Sequence, residues 1–238
     1  MTTLFVSDIH LDESRPAHVR DFLDFLAGEA TRADAIYLLG DLFEAWIGDD
    51  EESELAASVA HALAMLRARG IPCHFMHGNR DFLLGEDYAR RAGFELLPQS
   101  LVVELEGLPT LLLHGDTLCT GDTDYQRFRE EVRDPQWQAR FLAQPLAQRR
   151  AFANAARRES ERHTTGQPMQ IMDVAQAEVE RVMREAGVRR LIHGHTHRAG
   201  IHAFDLDGAV AERIVTGDWY DRGSVLRVGP AGLELKSL

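Results

Sequence analysis

The chain has 238 residues, of which 26 are basic and 38 acidic, so its formal net charge at pH 7 is −12. Nucleic-acid binders need a basic face that neutralises phosphates, and this charge argues against that class. Hydrophobic residues make up 45% of the chain and charged residues 27%, which is typical of a globular protein with a sizeable core rather than of a disordered chain.

Apolar runs such as residues 111–113 are far shorter than the roughly 18–20 residues that cross a bilayer. Met1 leads directly into a strand-like segment, without the basic region and cleavage site of a secretory signal, so we expect a cytoplasmic protein. Cys73 and Cys119 are too few for a disulfide framework and too far apart for a zinc ribbon, and we expect two reduced, packed thiols.

Short apolar runs alternate with helix-patterned segments in the first half of the chain, which is typical of a layered α/β domain. Strands are predicted over residues 3–7, 35–39, 73–77 and 110–113, and helices over residues 16–29 and 51–69. Gly70 and Pro72 mark the end of the second helix.

From residue 191 onward the chain consists of short extended runs separated by Gly and Asp. Strands are predicted there over residues 191–193, 201–206, 212–215, 224–228 and 233–236. We expect this half to contribute a largely antiparallel sheet, so that the whole fold is α/β with two packed β-sheets flanked by helices.

The segment 122–168 does not follow the alternation, because it is predicted to be helical nearly throughout, with breaks at Pro135 and Pro145. It holds nine arginines and seven acidic residues, a net charge of +2, whereas the rest of the chain carries −14. A less acidic lid would let an anionic ligand approach an otherwise repulsive surface. We therefore predict a core of residues 1–121 and 169–238 and a helical cap inserted at residues 122–168.

Five short polar motifs follow the ends of predicted strands. They are Asp8-Ile9-His10, Gly40-Asp41, Gly78-Asn79-Arg80-Asp81, His114-Gly115-Asp116 and Gly194-His195-Thr196-His197. Strand ends are where α/β folds place ligand-binding groups. Each motif alone is common, but five of them at strand ends predict one shared site.

Carboxylate, amide and imidazole side chains without thiolates are typical of sites for Mn²⁺, Fe²⁺ and similar ions rather than of structural zinc. In a two-metal centre one carboxylate bridges ions roughly 3.5–4 Å apart, and Asp41 is the natural bridge. Asp8 and Asp41 supply two negative charges against four positive ones. The remaining positive charge would attract a phosphate ester or anhydride and lower the pKa of a bridging water.

This series of motifs, spanning residues 8–197, resembles the calcineurin-like metallophosphoesterase family. The resemblance implies a sandwich of two mixed β-sheets flanked by helices, and two divalent ions, for which we expect Mn²⁺. It also implies two groups of metal ligands that share one carboxylate: Asp8, His10, Asp41 and His197 in the first group, and Asp41, Asn79, His114 and His195 in the second.

Within this family the chain is most similar to the bacterial hydrolases that cleave UDP-2,3-diacylglucosamine in lipid A synthesis. The similarity rests on residues 4–11, 40–50, 78–85, 114–120 and 217–220. It implies hydrolysis of the pyrophosphate to UMP and 2,3-diacylglucosamine 1-phosphate (lipid X), by attack of a metal-bridging hydroxide on the UMP-side phosphorus. The expected catalytic residues are Asp41, Asn79, Arg80 and His195.

Arg80 occupies a position where many phosphoesterases of this fold carry His, which can protonate an alkoxide leaving group. A guanidinium cannot give up its proton. A phosphate that leaves from a pyrophosphate needs no proton, and a guanidinium can bind it through two hydrogen bonds. Arg80 therefore favours a phosphoanhydride over an alkyl phosphate, and the alternative is a solvated arginine at a strand end.

In the resembled enzymes, polar cap residues contact the nucleotide and the glucosamine. Asp122 and Ser160 match that pattern, whereas Thr164 and Gln167 stand where Asn and Lys are usual. Two alternatives follow: a nearby arginine such as Arg157 restores the missing charge, or the affinity for the substrate is lower. The predicted substrate-binding residues are Asn79, Arg80, Asp122, Tyr125, Phe128, Phe141, Arg157, Ser160, Thr164, Gln167 and His195.

The apolar residues of the cap allow two interpretations, an acyl-chain tunnel or simple packing of the cap onto the body. They are Phe128, Trp137, Phe141, Leu142 and Phe152, together with Trp46. An amphipathic, arginine-bearing cap also suits contact with an anionic membrane. The expected partners are the UDP-linked diacylated glucosamine and the cytoplasmic face of the inner membrane, which the protein contacts peripherally, with no nucleic acid and no protein partner.

Two alternative functions remain. Another hydrolase with the same centre, a phosphodiesterase or a dinucleoside polyphosphate hydrolase, would have little use for an apolar lid. A non-catalytic scaffold of the same fold should have lost metal ligands, and none is missing from these motifs.

Overall fold

The computed structural model describes residues 1–166, 173–220 and 223–238, with the side chains of the first range described as far as residue 159. Strands and helices alternate at first: β1 (Thr3–Val6), α1 (Pro16–Ala27), β2 (Ala35–Leu38), α2 (Glu54–Ala68), β3 (Cys73–Phe75), α3 (Glu86–Ala92) and β4 (Glu95–Leu96). A hairpin follows, made of β5 (Ser100–Leu105) and β6 (Leu108–Leu113).

Three consecutive helices come next, α4 (Thr123–Arg133), α5 (Pro135–Leu142) and α6 (Leu146–Gly166). After α7 (Gln176–Ala186) the chain forms β7 (Arg190–His193), β8 (Gly200–Leu206), β9 (Ala209–Val215), β10 (Ser224–Gly229) and β11 (Gly232–Ser237). None of the described helices is both long enough and apolar enough to cross a membrane.

Two mixed β-sheets form the body of the molecule, as predicted. The strand order is β11-β10-β1-β2-β3-β4 in the first sheet and β5-β6-β7-β9-β8 in the second. The parallel strands are β1 to β4 in the first sheet, with β4 at its edge, and β6, β7 and β9 in the middle of the second. Antiparallel strands complete the other edges.

The inner strands of the first sheet are covered on both faces. Leu4 and Val6 of β1 pack with the helices α1 and α2 in one core cluster, whereas Phe5 points the other way into the cluster between the two sheets. Successive side chains of a strand point to opposite faces, so a strand covered on both sides needs a continuous apolar run. This is why β1, β2 and β3 are easily recognised in the sequence.

The prediction that the strands after residue 191 contribute a largely antiparallel sheet is correct for the pairing of β8 with β9 and of β10 with β11, and wrong in that these strands divide between two sheets. β7, β8 and β9 belong to the second sheet, where β7 is parallel to both of its neighbours, and β10 and β11 extend the first sheet beyond β1. Val225 lies in the helix-side cluster and Leu226 in the cluster between the sheets. β10 is buried on both faces, and it lies between the equally buried β1 and its neighbour in sequence, β11.

The helical prediction for the inserted segment agrees with helices α4, α5 and α6, and both proline breaks are present. Pro135 is the first residue of α5, whose N-cap Asp134 accepts a 2.8 Å hydrogen bond from the backbone N–H of Trp137. Pro145 precedes the first residue of α6. The division of the chain into a core and a separate cap stays a prediction.

Candidate metal centre

All seven predicted metal ligands lie where the carboxyl ends of the parallel strands meet. Asp8 and His10 follow β1, Asp41 follows β2 and Asn79 follows β3. From the second sheet, His114 follows β6, and His195 and His197 follow β7. The two sheets face each other, so residues distant in the sequence reach one small volume.

Three short contacts join the residues of the first predicted ligand group. The Nε2 atoms of His10 and His197 are 3.4 Å apart, and His197 Nε2 lies 3.5 Å from Asp8 Oδ1. His10 Nε2 also lies 3.7 Å from Asp41 Oδ2. The ligand atoms of Asp8, His10 and His197 all lie within 4.8 Å of one another, which is close enough to hold one ion.

The second predicted group is arranged around an amide oxygen. Asn79 Oδ1 lies 3.0 Å from His114 Nε2 and 2.9 Å from His195 Nδ1. His114 Nε2 lies 3.8 Å from Asp41 Oδ2, the same oxygen that faces His10. Asp41 therefore stands between the two groups, the position that a bridging carboxylate needs.

The backbone at these ligands is unusual. Seven described non-glycine residues have a positive φ, and five of them are predicted ligands: Asp8 (52°), His10 (52°), Asp41 (56°), His195 (67°) and His197 (58°). Residues in this region cost free energy and cluster at functional sites. Backbone hydrogen bonds hold the first two in place, from Asp8 N to Gly40 O at 3.0 Å and from His10 N to Asp41 O at 2.9 Å.

Two buried carboxylates in this centre have no basic partner of their own. Asp8 is 0% exposed and Asp41 is 1% exposed, and within the described part of the chain neither forms an ion pair with arginine or lysine. A buried carboxylate without a countercharge is costly. Imidazole nitrogens and carboxylate and amide oxygens surround the same space, so the residues present fit divalent metal ions.

The protonation state of one candidate ligand, His195, agrees with this fit. Burial lowers the pKa of His195 to about 4, and the neighbouring His114 acts in the same direction. His195 is therefore neutral near pH 7, and the neutral imidazole is the form that ligates a metal.

Sequence reasoning missed the residues that support the ligands. The Asp81 carboxylate accepts hydrogen bonds from the backbone N–H groups of Gly78 at 2.8 Å and Leu42 at 2.7 Å, which joins the loop after β3 to the loop after β2. Burial and the charge of Asp41 raise the pKa of Asp81 to about 6. The available signal was the Gly-Asn-Arg-Asp motif, whose last residue received no role.

Glycines in the same motifs are required by close approach. A Cβ atom on Gly78 would collide with the Asp41 carboxylate, and one on Gly194 would collide with Asp8 and Ser7. Each glycine comes directly before a predicted ligand in the sequence. Any larger residue would displace the carboxylates on which the centre depends.

Arg80 lies beside the centre with part of its guanidinium uncommitted. Its backbone N–H donates a 2.8 Å hydrogen bond to Asp41 Oδ1, while its Nε is buried and has no hydrogen-bond partner among the described residues. A buried donor without a partner is costly unless a ligand supplies an acceptor. Arg80 is therefore placed to bind an anion next to the candidate metal ions.

The predicted contact residues on the helices have protein partners. Asp122 caps α4, since its Oδ1 accepts a 3.0 Å hydrogen bond from the backbone N–H of Tyr125. The Tyr125 hydroxyl donates to Asp116 Oδ2 at 2.9 Å, and its ring lies 6.1 Å from that of His195. Arg157 forms ion pairs of 3.4 Å with Asp12 and with Glu44. The side chains of Ser160 and Thr164, and residue Gln167, lie outside the described residues.

The apolar residues divide into two sets. Phe141 is 4% exposed and Trp46 is 6% exposed, and both belong to the core cluster on the helix side of the first sheet. The packing interpretation therefore applies to these two residues. Phe128 is 38% exposed, and Leu142 and Phe152 are each 39% exposed, so these three residues of α4, α5 and α6 remain open to a ligand or a membrane.

Comparison with known proteins shows the family of this chain. The sequence profile of the calcineurin-like phosphoesterases matches residues 1–199, which include all seven candidate ligands. The chain belongs to the calcineurin-like phosphoesterase family. Members of this family are metal-dependent hydrolases, and the family thus implies divalent ions at the site described above.

Relatives of this phosphoesterase are similar over its whole length. It is 54% identical over 245 aligned positions to a Stenotrophomonas maltophilia (strain R551-3) protein named UDP-2,3-diacylglucosamine hydrolase, an alignment that covers 100% of this chain and 99% of the relative. A Xanthomonas campestris pv. campestris (strain ATCC 33913) protein of the same name shows the same identity and coverage. A solved archaeal phosphodiesterase superposes with a TM-score of 0.50 at 12% identity, covering both chains fully, which supports the fold alone.

Proposed function

We propose that this calcineurin-like phosphoesterase hydrolyses the pyrophosphate bond of UDP-2,3-diacylglucosamine, releasing UMP and 2,3-diacylglucosamine 1-phosphate in lipid A synthesis. The name of its full-length relatives supports this substrate. The observation that carries the proposal is the position of Arg80, whose buried Nε has no hydrogen-bond partner in the described part of the chain and lies beside seven convergent candidate ligands. Arg80 and the metal ions proposed at these ligands would together bind the two phosphates of a diphosphate.

Two divalent ions, Mn²⁺ by the chemistry of the donors, complete the proposed centre. Bound ions polarise phosphoryl oxygens and lower the pKa of water. Asp41 belongs to both sites, because its Oδ2 faces a histidine of each group. The two proposed ligand sets are Asp8, His10, Asp41 and His197, and Asp41, Asn79, His114 and His195.

Three further roles follow for the catalytic residues. Asn79 Oδ1 lies 3.0 Å from His114 Nε2 and 2.9 Å from His195 Nδ1, so these three atoms are close enough to share one ion. His195 stays neutral and keeps a lone pair available. Arg80 binds the phosphate that leaves with the acylated sugar and compensates its charge without transferring a proton. The attacked phosphorus is then the one on the UMP side.

The three exposed apolar residues, Phe128, Leu142 and Phe152, are the proposed contact surface for the acyl chains. Phe152 lies 5.2 Å from the ring of Phe141 and 5.6 Å from that of Trp137, so its exposed edge continues a buried aromatic cluster. The same helices would contact the cytoplasmic face of the inner membrane peripherally. Tyr125, Asp122, Arg157, Ser160, Thr164 and Gln167 are the proposed contacts to the nucleotide and the sugar.

Hydrolysis in H₂¹⁸O tests the proposal. The purified protein with Mn²⁺ should convert UDP-2,3-diacylglucosamine to UMP and the diacylglucosamine 1-phosphate, and mass spectrometry should find the ¹⁸O in UMP. A dinucleoside tetraphosphate and UDP-glucosamine serve as comparison substrates and should react far more slowly. Label in the sugar phosphate would contradict the assigned phosphorus, and equal kcat/KM values on all substrates would favour a general pyrophosphatase.

A further inference from the structure

The two halves of the candidate centre differ in the groups behind their histidines. His10 Nδ1 lies 3.4 Å from Glu44 Oε2, an ion-pair distance without hydrogen-bond geometry, and His197 Nδ1 lies 3.3 Å from Asp218 Oδ2. Both histidines of the first group thus have a carboxylate behind the imidazole. In the second group, His114 Nδ1 lies 2.7 Å from a neutral acceptor, the backbone carbonyl of Leu39.

The charges of the ligands themselves differ in the same sense. The first group contains Asp8 in addition to the shared Asp41, whereas the second group combines Asp41 with the neutral Asn79. Asp116 is the other buried acid near the second group. Its Oδ2 already accepts from Arg129 Nε at 2.6 Å and from a tyrosine hydroxyl, so its charge is balanced within the protein.

The two supporting carboxylates are held in different ways. Glu44 is 5% exposed and also contacts Arg15 and Arg157, each at 3.4 Å, so part of its charge is balanced. Asp218 forms no ion pair with arginine or lysine among the described residues, and its Oδ1 accepts a 3.1 Å hydrogen bond from the backbone N–H of Tyr220. Arg157 lies on α6, so Glu44 also connects that helix to His10.

We propose that Glu44 and Asp218 are positioning residues that hold His10 and His197 with Nδ1 protonated and Nε2 directed into the centre, which makes the first group the tighter of two unequal metal sites. A carboxylate behind a ligating imidazole fixes its tautomer and raises its basicity, and removal of such a partner costs about 10- to 100-fold in metal affinity. This inference rests on the proposed two-metal centre but not on the identity of the phosphate substrate.

Manganese binding to the metal-free protein tests the inference without any turnover. The protein is stripped with a chelator and titrated with Mn²⁺, and calorimetry and the electron paramagnetic resonance signal of free Mn²⁺ report the bound fraction. The wild-type protein should show two binding events whose Kd values differ by at least about tenfold. Glu44→Gln and Asp218→Asn should each weaken the tighter event by about 10- to 100-fold and change the weaker event less than about twofold.

Two controls separate positioning from general structure. Glu29→Gln removes a carboxylate with a 17% exposed side chain that pairs with Arg227 away from the centre, and it should leave both Kd values unchanged. Glu44→Asp, which keeps the charge, should restore part of the affinity. Thermal unfolding of the metal-free variants checks the fold, and the partly exposed Asp218 decides the question if Glu44→Gln does not fold.

Three results would overturn the inference: equal Kd values in the wild-type protein, an unchanged tighter event in both variants, or equal weakening of both events. A single binding event would also contradict the proposed two-metal centre. Failure to cleave the lipid substrate would leave the binding result intact, because the titration contains no substrate.

Discussion

The backbone N–H of Arg80 donates a 2.8 Å hydrogen bond to Oδ1 of Asp41. The other oxygen of Asp41, Oδ2, lies 3.7 Å from His10 Nε2 and 3.8 Å from His114 Nε2. One carboxylate therefore joins the proposed metal bridge to the residue proposed to bind phosphate. Since this link uses a backbone amide, changes to the Arg80 side chain should leave the metal centre in place.

Asp41→Asn tests the bridge. Asparagine keeps an oxygen for the amide of Arg80 but removes the charge shared by the two sites, so kcat/KM should fall by roughly 10²- to 10³-fold or more. Metal analysis should show fewer than two ions per chain. Asp87→Asn, which alters an exposed carboxylate paired with Arg90, is the control. Near wild-type turnover with two bound ions would contradict the bridging role.

Arg80→Ala should reduce transition-state stabilisation on a pyrophosphate substrate, measured as the change in kcat/KM, by about 2–4 kcal/mol. This is the range for losing a charge-assisted contact to the developing charge. With an activated aryl phosphate ester, whose leaving group needs no such contact, kcat/KM should fall less. Arg80→Lys keeps the charge but not the paired donors, so its kcat/KM on the pyrophosphate substrate should lie between those of the wild-type protein and Arg80→Ala. Equal losses on both substrates would show that Arg80 binds phosphate uniformly or acts only on the structure.

The exposed apolar residues of the helices should affect acylated substrates alone. Phe128 and Phe152 are 38% and 39% exposed, so acyl contact would remove the remaining exposed fraction of each ring. Full burial of a phenylalanine side chain is worth about 1.5–3 kcal/mol, and only the exposed fraction of each ring would gain from acyl contact. Each Phe→Ser change should therefore lower kcat/KM on the diacylated substrate about three- to eightfold.

The control for this series is Val210→Ser, which removes a 72% exposed side chain from the second sheet. Hydrolysis of a small chromogenic phosphate should stay unchanged in all three variants. Phe141 is a poor choice for the test because it is 4% exposed, and a charge there would disturb packing. Equal effects on acylated and deacylated nucleotide sugars would contradict the lipid contact.

Arg149 and Asp50 should contribute unequally to stability. The Arg149 side chain is 2% exposed and donates to the carbonyls of Ile47 at 2.7 Å and Gln144 at 3.0 Å, whereas the Asp50 side chain is 60% exposed. Arg149→Leu leaves those carbonyls without a donor and should lower the free energy of unfolding by about 1.5–3 kcal/mol. Asp50→Asn should cost about 1 kcal/mol or less. Denaturant titration measures both, and equal losses would mean that the ion pair dominates.

The two cysteines should resist alkylation in the folded protein. Both are reduced thiols and buried, and burial raises the pKa of Cys73 to about 11 and of Cys119 to about 12, from an ordinary value of 9.0. The folded state therefore holds these protons more tightly, and stability should fall as the pH rises through 9. At pH 9, iodoacetamide should label both thiols rapidly in concentrated guanidinium and slowly without it. Rapid labelling of the native protein would contradict the burial.

The sequence could specify β1, β2, β3, α1 and α2 to within a few residues. The strands among them are covered on both faces and so carry continuous apolar runs, and the helices carry one apolar side. The same runs located the candidate metal-binding motifs, because each motif follows directly after a strand. Edge elements carried weaker signals: β5 is partly exposed, with Val102 45% exposed, and it was not predicted.

Only the tertiary structure decided which strands are neighbours and which polar groups stand behind the ligands. β10 lies beside β1 although more than 200 residues separate them, because both need cover on two faces, and no local pattern encodes that pairing. Glu44 and Asp218 belong to two of the sequence segments that resemble the family, but the sequence does not show that they contact His10 and His197. Those contacts form only when separate segments of the chain pack together. The sequence alone determined the chemistry of the ligands, since residue type and strand-end position suffice for that. The support of each ligand required the fold, because a hydrogen bond or ion pair between distant segments exists only once both sheets are packed.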